Sequence, residues 1–462
     1  MSLKSLNPFV SAFRSSHEEV NRIHRAYGVV IYSILCIHGS LYLNYFIGVG
    51  TFRRRFFAPK VFAGVVGLTC LTLLSATALR PIRRLSYRLF FITHLTAAFA
   101  IPPLLFIHAR SPRFFAVEAL VVLVVDLISR KLDTVVSQAT LESIPGTSLV
   151  KISAPIPNSK SDKFRAHPGS HVYLSIPAAA RQSSNPMSIS FLLFEFLFNP
   201  FTVAAVDEET GELTLVTRRM SGPMSAALTR LAGRQTPGDT SPNTRAAPGE
   251  QQKIPLCIEG PYGIAKRFPN LVDGEFSRIL LIAGGVGATF TVPLYRAIMQ
   301  EHPNAKVEMV WSVRGAADAT WAVTGESAGG SILDDDNVHI YLTGDIVDPA
   351  GSPAPAPRSG GPRTRSGGSS GAGSSATSDV DSGIEMSTMY RDRKRNRFTA
   401  HHNRKRPDLR KLVDDLFKHG SEERVAIIVC GPNSMARELK EHVGVWVMKG
   451  RSIWFHNEGF SL

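Results

Sequence analysis

Cysteine is scarce in this sequence. Among 462 residues there are four, Cys36 and Cys70 in apolar runs and Cys257 and Cys430 in predicted strands, and no spacing suggests a metal knuckle or a disulfide framework. An apolar leader is also missing. The opening stretch MSLKSLNPFVSAFRSSHEEV holds no apolar signal core, so membrane insertion is expected to use internal segments. No internal repeat is visible apart from one histidine spacing. Positive charge, in contrast, is plentiful: the formal net charge is +14. Such an excess suits nucleic acid, anionic lipid or a phosphorylated cofactor. Part of it lies in 347–404, a Pro/Gly/Ser-rich and then basic stretch too poor in apolar residues to fold. This stretch is expected to be a disordered insertion, and no nucleic-acid partner is expected.

Long apolar runs crowd the first third of the chain, at about 27–49, 60–79, 89–108 and 114–129. Each approaches the ~20 residues that span a bilayer, the last only marginally. The loop RPIRRLSYR (80–88) and Arg130-Lys131 mark a cytosolic side if positive charge stays inside, whereas Arg53, Arg54 and Arg55 argue the other way. Connectivity makes the first and third runs parallel. His24 and His38 belong to the first, His94 and His108 to the third, and each pair is fourteen residues apart. Fourteen helical steps return to within about 40° of the same face, about 21 Å along the axis. Parallel helices with this spacing can oppose His24 to His94 and His38 to His108, the arrangement for two bis-imidazole haems, one per leaflet. Imidazoles inside a bilayer are costly and usually functional. Arg25 and Arg88 read as ordinary interfacial arginines.

These stretches, HRAYGVVIYSILCIHGSLYLNYF and SYRLFFITHLTAAFAIPPLLFIHARSPRFFAVEA, resemble the haem helices of the fungal ferric reductase transmembrane family, flavocytochromes related to NADPH oxidases. Family members have further membrane helices upstream, so this chain is expected to be shortened at its amino terminus. The resemblance implies a multidomain protein: an α-helical transmembrane haem bundle, an antiparallel β-barrel FAD domain and a ferredoxin-reductase-like α/β nucleotide-binding domain. The expected boundaries are 1–26 for a cytosolic segment, 27–131 for the bundle, 132–256 for the barrel and 257–462 for the nucleotide domain.

After residue 131 short β-rich segments with Pro/Gly turns, LVKISAPIP, HPGSHVYLSIP, FTVAAVD and GELTLVTRR, suggest a small antiparallel barrel. NPFTVAAV (199–206) is similar to the family's flavin signature. That likeness implies flavin contacts from Asn199, Pro200, Phe201, Thr202 and Val203, with Phe201 by the isoalloxazine and Thr202 at its polar edge. In RRMSGPMSAAL, Arg218, Ser221 and Gly222 open a predicted helix whose backbone N–H groups can hold the FAD pyrophosphate. The loop 234–252 reads as polar and disordered. The apolar run MSISFLLFEFLFNP (187–200) is too short to span a bilayer and is interrupted by Glu195. Its removal would join SSNP to FTVAAV, so it is expected to be an inserted segment, read as a retained intron.

RILLIAGGVGATFTVPLYRAI (278–298) reads as buried strand, glycine turn and helix. Gly284, Gly285 and Gly287 let backbone approach a pyrophosphate, with Thr289 at the helix start. KVEMVWSVR follows at βαβ distance and ends in Ser312 and Arg314, where the fold reads an adenosine ribose or its 2′-phosphate. A guanidinium there favours NADPH. By resemblance, CIEGPYG matches a Gly-Pro-Tyr-Gly element, Cys430, Gly431 and Pro432 lie by the nicotinamide, and Phe460 is the aromatic gate over the flavin. Cys430 reads as a packed contact on the hydride path.

The function these features imply is a ferric-chelate reductase moving electrons from cytosolic NADPH through FAD and two haem b groups to ferric or cupric chelates across the membrane. A metal permease or ferroxidase partner and the plasma membrane, with the vacuolar membrane second, follow from the family. Two other readings stay open: a superoxide-producing oxidase and an inactive truncated membrane protein.

Overall fold

The computed structural model describes residues 17–181, 198–207, 209–220, 222–233, 253–263, 268, 271, 275–322, 332, 335–344, 405–418 and 423–459. Ser221, Phe460, 187–197, 234–252 and 347–404 lie outside these, and with them the readings placed on them. The chain divides into two compact units, 1–275 with 289–305, and 276–288 with 306–462.

Six helices open the first unit: α1 (His17–Gly48), α2 (Phe52–Phe56), α3 (Pro59–Ala78), α4 (Arg80–Leu85), α5 (Tyr87–His108) and α6 (Arg113–Asp133). Pro59 starts α3, where its missing N–H costs nothing. The Ser86 hydroxyl caps α5 by accepting from the Leu89 N–H at 3.2 Å. α1 starts ten residues before the expected run, which places His24 well inside the helix. Val29 and Leu41 are 68% and 64% exposed, as apolar side chains covered by lipid would be.

Among the described residues, three helices are long and apolar enough to cross a membrane: Val20–Gly48, Pro59–Ala78 and Tyr87–His108. The fourth expected span is helical within α6 but does not join them. Glu118 and Asp126 interrupt it, and Asp126 is buried.

Strands β1 (Val135–Ser143), β2 (Leu149–Pro155), β3 (His171–Ser175), β4 (Asn199–Val206), β5 (Glu212–Arg218) and β6 (Ile254–Tyr262) close an antiparallel barrel in the order β1-β2-β5-β4-β3-β6. Alternate residues, among them Leu141, Ile152, Leu174, Val203, Leu215 and Ile258, fill its interior. Helices α7 (Asn158–Arg165) and α8 (Pro223–Gly233) flank the strands in sequence, and Met224 and Leu228 of α8 plug the core. The barrel runs past the expected boundary at 256. CIEGPY looked like a strand end, yet β6 continues its ladder to β1 (Val135↔Ile258) and β3 (His171↔Tyr262).

The second unit holds a five-stranded parallel sheet, β11-β10-β7-β8-β9, built from β7 (Arg278–Gly284), β8 (Val307–Val313), β9 (Val338–Leu342), β10 (Val425–Cys430) and β11 (Ile453–Glu458). β7 and β10 are near-continuous apolar runs because both faces are covered. Helices α10 (Leu409–Leu416) and α11 (Asn433–Met448) supply Val413, Leu416, Leu439 and Val443 to the core. Helix α9 (Ala288–Glu301) follows β7 in the chain.

Candidate functional site

Three groups of expected site residues come together, one in the bundle, one on the barrel and one at the sheet edge.

In the bundle α3 bonds to both of its neighbours. The Tyr32 hydroxyl of α1 donates to Thr72 Oγ1 at 3.1 Å, and Thr77 and Thr93 share an Oγ1–Oγ1 hydrogen bond of 2.7 Å between α3 and α5. So held, α1 and α5 run parallel and their histidines pair as the spacing predicts. The ring centroids of His24 and His94 are 6.2 Å apart, those of His38 and His108 6.3 Å. An imidazole nitrogen binds a transition metal at about 2.0–2.1 Å and lies about 1 Å from its ring centre, so two rings sharing one ion stand about 6 Å apart. Both pairs meet that condition. The His108 Nδ1–H donates to the Lys60 carbonyl at 2.8 Å, which leaves Nε2 as the lone-pair nitrogen. His94 Nδ1 is buried without a partner. Space for His108 comes from Gly64: a Cβ there would stand 2.4 Å from its ring.

The end of the bundle at His24 and His94 is also the end from which the barrel starts, since β1 begins two residues after α6. Glu259 of β6, 1% exposed, ties the two together. It accepts from Arg130 Nε at 2.8 Å and Nη2 at 2.9 Å, and from the Tyr262 hydroxyl at 2.6 Å. Burial first, and the bond to Glu259 second, push the Tyr262 phenol far above its ordinary range, so it remains a donor.

On the barrel, β3 and β4 pair His171 with Thr202, Val172 with Phe201, Tyr173 with Pro200 and Leu174 with Asn199. Phe201 packs partly against the barrel core, on the face it shares with Val203. Thr202 faces the other way. The outward face of β3 and β6 carries His171, Tyr173 and Tyr262 in mutual ring contact, with centroids 5.4–6.2 Å apart. Ser170 Oγ, just ahead of β3, is buried and unbonded. Arg218 ends β5, and its Nε is likewise buried without a partner. The hydroxyl of Ser225 in α8 donates to the Arg218 carbonyl at 3.3 Å and accepts from the Met220 N–H at 2.7 Å, fixing the turn through Gly222. An orphaned guanidinium nitrogen beside a helix start suits a phosphate, and the aromatic face of β3 and β6 suits a flat ring.

In the sheet, β8 and β9 lie to one side of β7 and β10 and β11 to the other, so the strand order reverses between β7 and β10. Such a switch point opens a crevice at the carboxyl ends of the strands. The two turns there abut. A Cβ on Gly287 would stand 2.0 Å from the Cys430 carbonyl oxygen, and one on Gly284 2.6 Å from Pro432 Cδ. Gly285 has φ +57°, the left-handed region. These glycines therefore let the turn meet Cys430-Gly431-Pro432, a packing role beyond approach to a phosphate. Thr289 is buried in the first turn of α9. Ser312 Oγ is buried and unbonded at the end of β8, and Arg314 is exposed one residue past the strand. Cys430 is fully buried, and burial, then the Glu458 carboxylate, pushes its thiol far above the usual range.

Sequence reasoning marked the segments HPGSHVYLSIP and CIEGPYG but did not nominate Ser170, His171, Tyr173, Glu259 or Tyr262 within them, and it passed over Gly64. The alternation in HVYLS placed His171 and Tyr173 on one face, but only pairing with β6 brings Tyr262 to them.

Three family descriptions match successive parts of the chain. They are the ferric reductase like transmembrane component at residues 1–105, an FAD-binding domain at 134–266 and the ferric reductase NAD binding domain at 276–444. A probable metalloreductase from Meyerozyma guilliermondii is 26% identical over 323 residues, 70% of this chain and 57% of that one. A ferric/cupric reductase transmembrane component from Schizosaccharomyces pombe is 22% identical over 484 residues, 99% of this chain and 77% of that one. The chain thus spans little more than half the length of the first of these relatives. With its apolar helices, closed flavin-type barrel and nucleotide-binding sheet, the chain belongs to the ferric reductase family and is a membrane protein with FAD-binding and NAD(P)-binding domains.

Proposed function

We propose that this protein is a transmembrane ferric-chelate reductase that takes electrons from cytosolic NADPH and delivers them to ferric or cupric chelates on the far side, at the plasma membrane, in support of metal uptake. The observation that carries this reading is the pair of stacked imidazole couples, 6.2 and 6.3 Å between centroids, on parallel membrane helices. Names of the relatives, metalloreductase and ferric/cupric reductase, support the acceptor class.

His24 with His94 and His38 with His108 would hold two b-type haems. Arg218, with Ser221 and Gly222 at the start of α8, would hold the FAD pyrophosphate. Thr202 and the backbone of Asn199–Val203 would orient its ring, with Phe201 supporting the strand from the core. The turn Gly284–Gly287 and Thr289 would receive the NADPH phosphates, and Ser312 and Arg314 its ribose and 2′-phosphate. Cys430, Gly431 and Pro432 would wall the nicotinamide pocket, with Cys430 neutral and packed; Phe460 is proposed as the aromatic gate. When bound, flavin and haem convert one two-electron hydride donor into single-electron steps. The reaction balances as NADPH and two Fe(III) giving NADP⁺, H⁺ and two Fe(II).

The test is an optical spectrum of the purified membrane protein before and after NADPH, followed by ferric-chelate and superoxide assays. Reduced haem bands with chelate reduction are expected. A spectrum without haem bands, or superoxide as the sole product, would overturn the assignment.

A further inference from the structure

Cations sit at both ends of the bundle. Cations belong on the cytosolic side of membrane helices, yet the far end of the bundle is strongly basic. Arg53, Arg54 and Arg55 occupy α2 in the connection between α1 and α3, with Lys60 in the first turn of α3. Arg110 and Arg113 flank the connection between α5 and α6. The His108–Lys60 hydrogen bond joins the two connections directly at the His38/His108 pair. Arg113 is held in place, donating to the Phe106 carbonyl at 2.8 Å and lying over that ring at 4.6 Å. The other five cations are exposed.

Acidic residues are few beside these charges, and Glu118, five residues after Arg113 in α6, is the first to follow them. From residue 20 to residue 117 there is no Asp or Glu. None of the six cations makes an ion pair among the described residues. The composition of the cluster is informative too: five of the six are arginines, whose planar fork matches carboxylates two bonds at a time, where lysine offers a point charge.

We propose that Arg53, Arg54, Arg55, Lys60, Arg110 and Arg113 form the docking surface for polyanionic, carboxylate-rich ferric chelates beside the outer histidine pair. This inference rests on the reductase reading and supplies its substrate class. A hard Fe(III) ion travels in water wrapped in oxygen donors, and a carboxylate shell leaves the complex negative. A predominantly basic surface concentrates such anions and speeds their encounter, more so at low salt.

The test uses the full chain in nanodiscs of zwitterionic lipid, comparing ferric citrate with ferric iron in an uncharged trihydroxamate chelator. In R53Q/R54Q/R55Q the ratio of KM for citrate to KM for the hydroxamate is expected to rise by about tenfold. Equilibrium dialysis of redox-inert gallium(III) citrate should lose affinity in parallel and weaken with added salt. Equal changes for both chelates, with gallium citrate binding intact, would overturn the proposal. So would loss of affinity for anionic vesicles without any change in the KM ratio, which would assign the arginines to lipid headgroups. If the unmodified protein reduces neither chelate but binds gallium citrate through these arginines, the reductase reading fails while the anion site stands.

Discussion

A methyl group at position 64 has no room: its carbon would stand 2.4 Å from Cε1 and Nδ1 of His108. Helix backbone leaves little freedom to shift, so the imidazole must turn away from His38. Gly64→Ala is therefore expected to reduce haem content from two towards one per chain, measured against protein by a pyridine haemochrome assay. The same reasoning applied to the thiol of Cys430 predicts inertness. Alkylation needs a thiolate, and burial with Glu458 alongside keeps this thiol protonated. Native protein at pH 8 should leave Cys430 unlabelled by iodoacetamide, with labelling appearing only after unfolding, as read by peptide mass spectrometry.

Between elements, the contact with the clearest energetic consequence joins α6 to β6. Glu259 is 1% exposed and satisfied by Arg130 and Tyr262, while the Arg130 side chain retains 18% exposure. Breaking a buried pair costs about 3–5 kcal/mol, and partial solvation of the surviving arginine lowers the expectation for Glu259→Ala to about 2–3 kcal/mol. Urea unfolding of the barrel, followed by tryptophan-independent near-UV dichroism, would check it. Glu259→Gln, which keeps an acceptor for the Tyr262 hydroxyl, should lose less. The β7 and β10 turns depend on a different kind of contact. Because Gly287 lies against the Cys430 carbonyl, Gly287→Ala must push two adjacent parallel strands apart at their carboxyl ends.

Over the whole molecule, basic residues outnumber acidic ones, 52 to 38. The Arg314 side chain is exposed just after β8, two residues past the unbonded Ser312 hydroxyl, while its carbonyl accepts from the Gly344 N–H at 2.8 Å. Arg314→Ala should raise KM for NADPH by about tenfold and leave NADH use far less affected, since only the former carries a 2′-phosphate. Steady-state kinetics with both nucleotides would show it. Much of this plan was legible in the chain. Fourteen-residue histidine spacing on two apolar runs is a helical statement, and it survives folding intact. The strand–glycine–helix order in RILLIAGGVGA was equally readable, because its apolar run and turn residues are local.

Local periodicity and turn chemistry were enough to set out the succession of membrane helices, barrel strands and nucleotide sheet, and to nominate the four histidines. Contacts across long stretches of chain were not. Gly64 meets His108 forty-four residues later, Arg130 reaches Glu259 across 129 positions, and Gly287 touches Cys430 through adjacent strands of one sheet. The approach of His108 to the Lys60 carbonyl, forty-eight residues earlier, is of the same kind. Such pairings depend on which helices and strands become neighbours, and that is settled by packing the elements together rather than by any property of the segments taken singly.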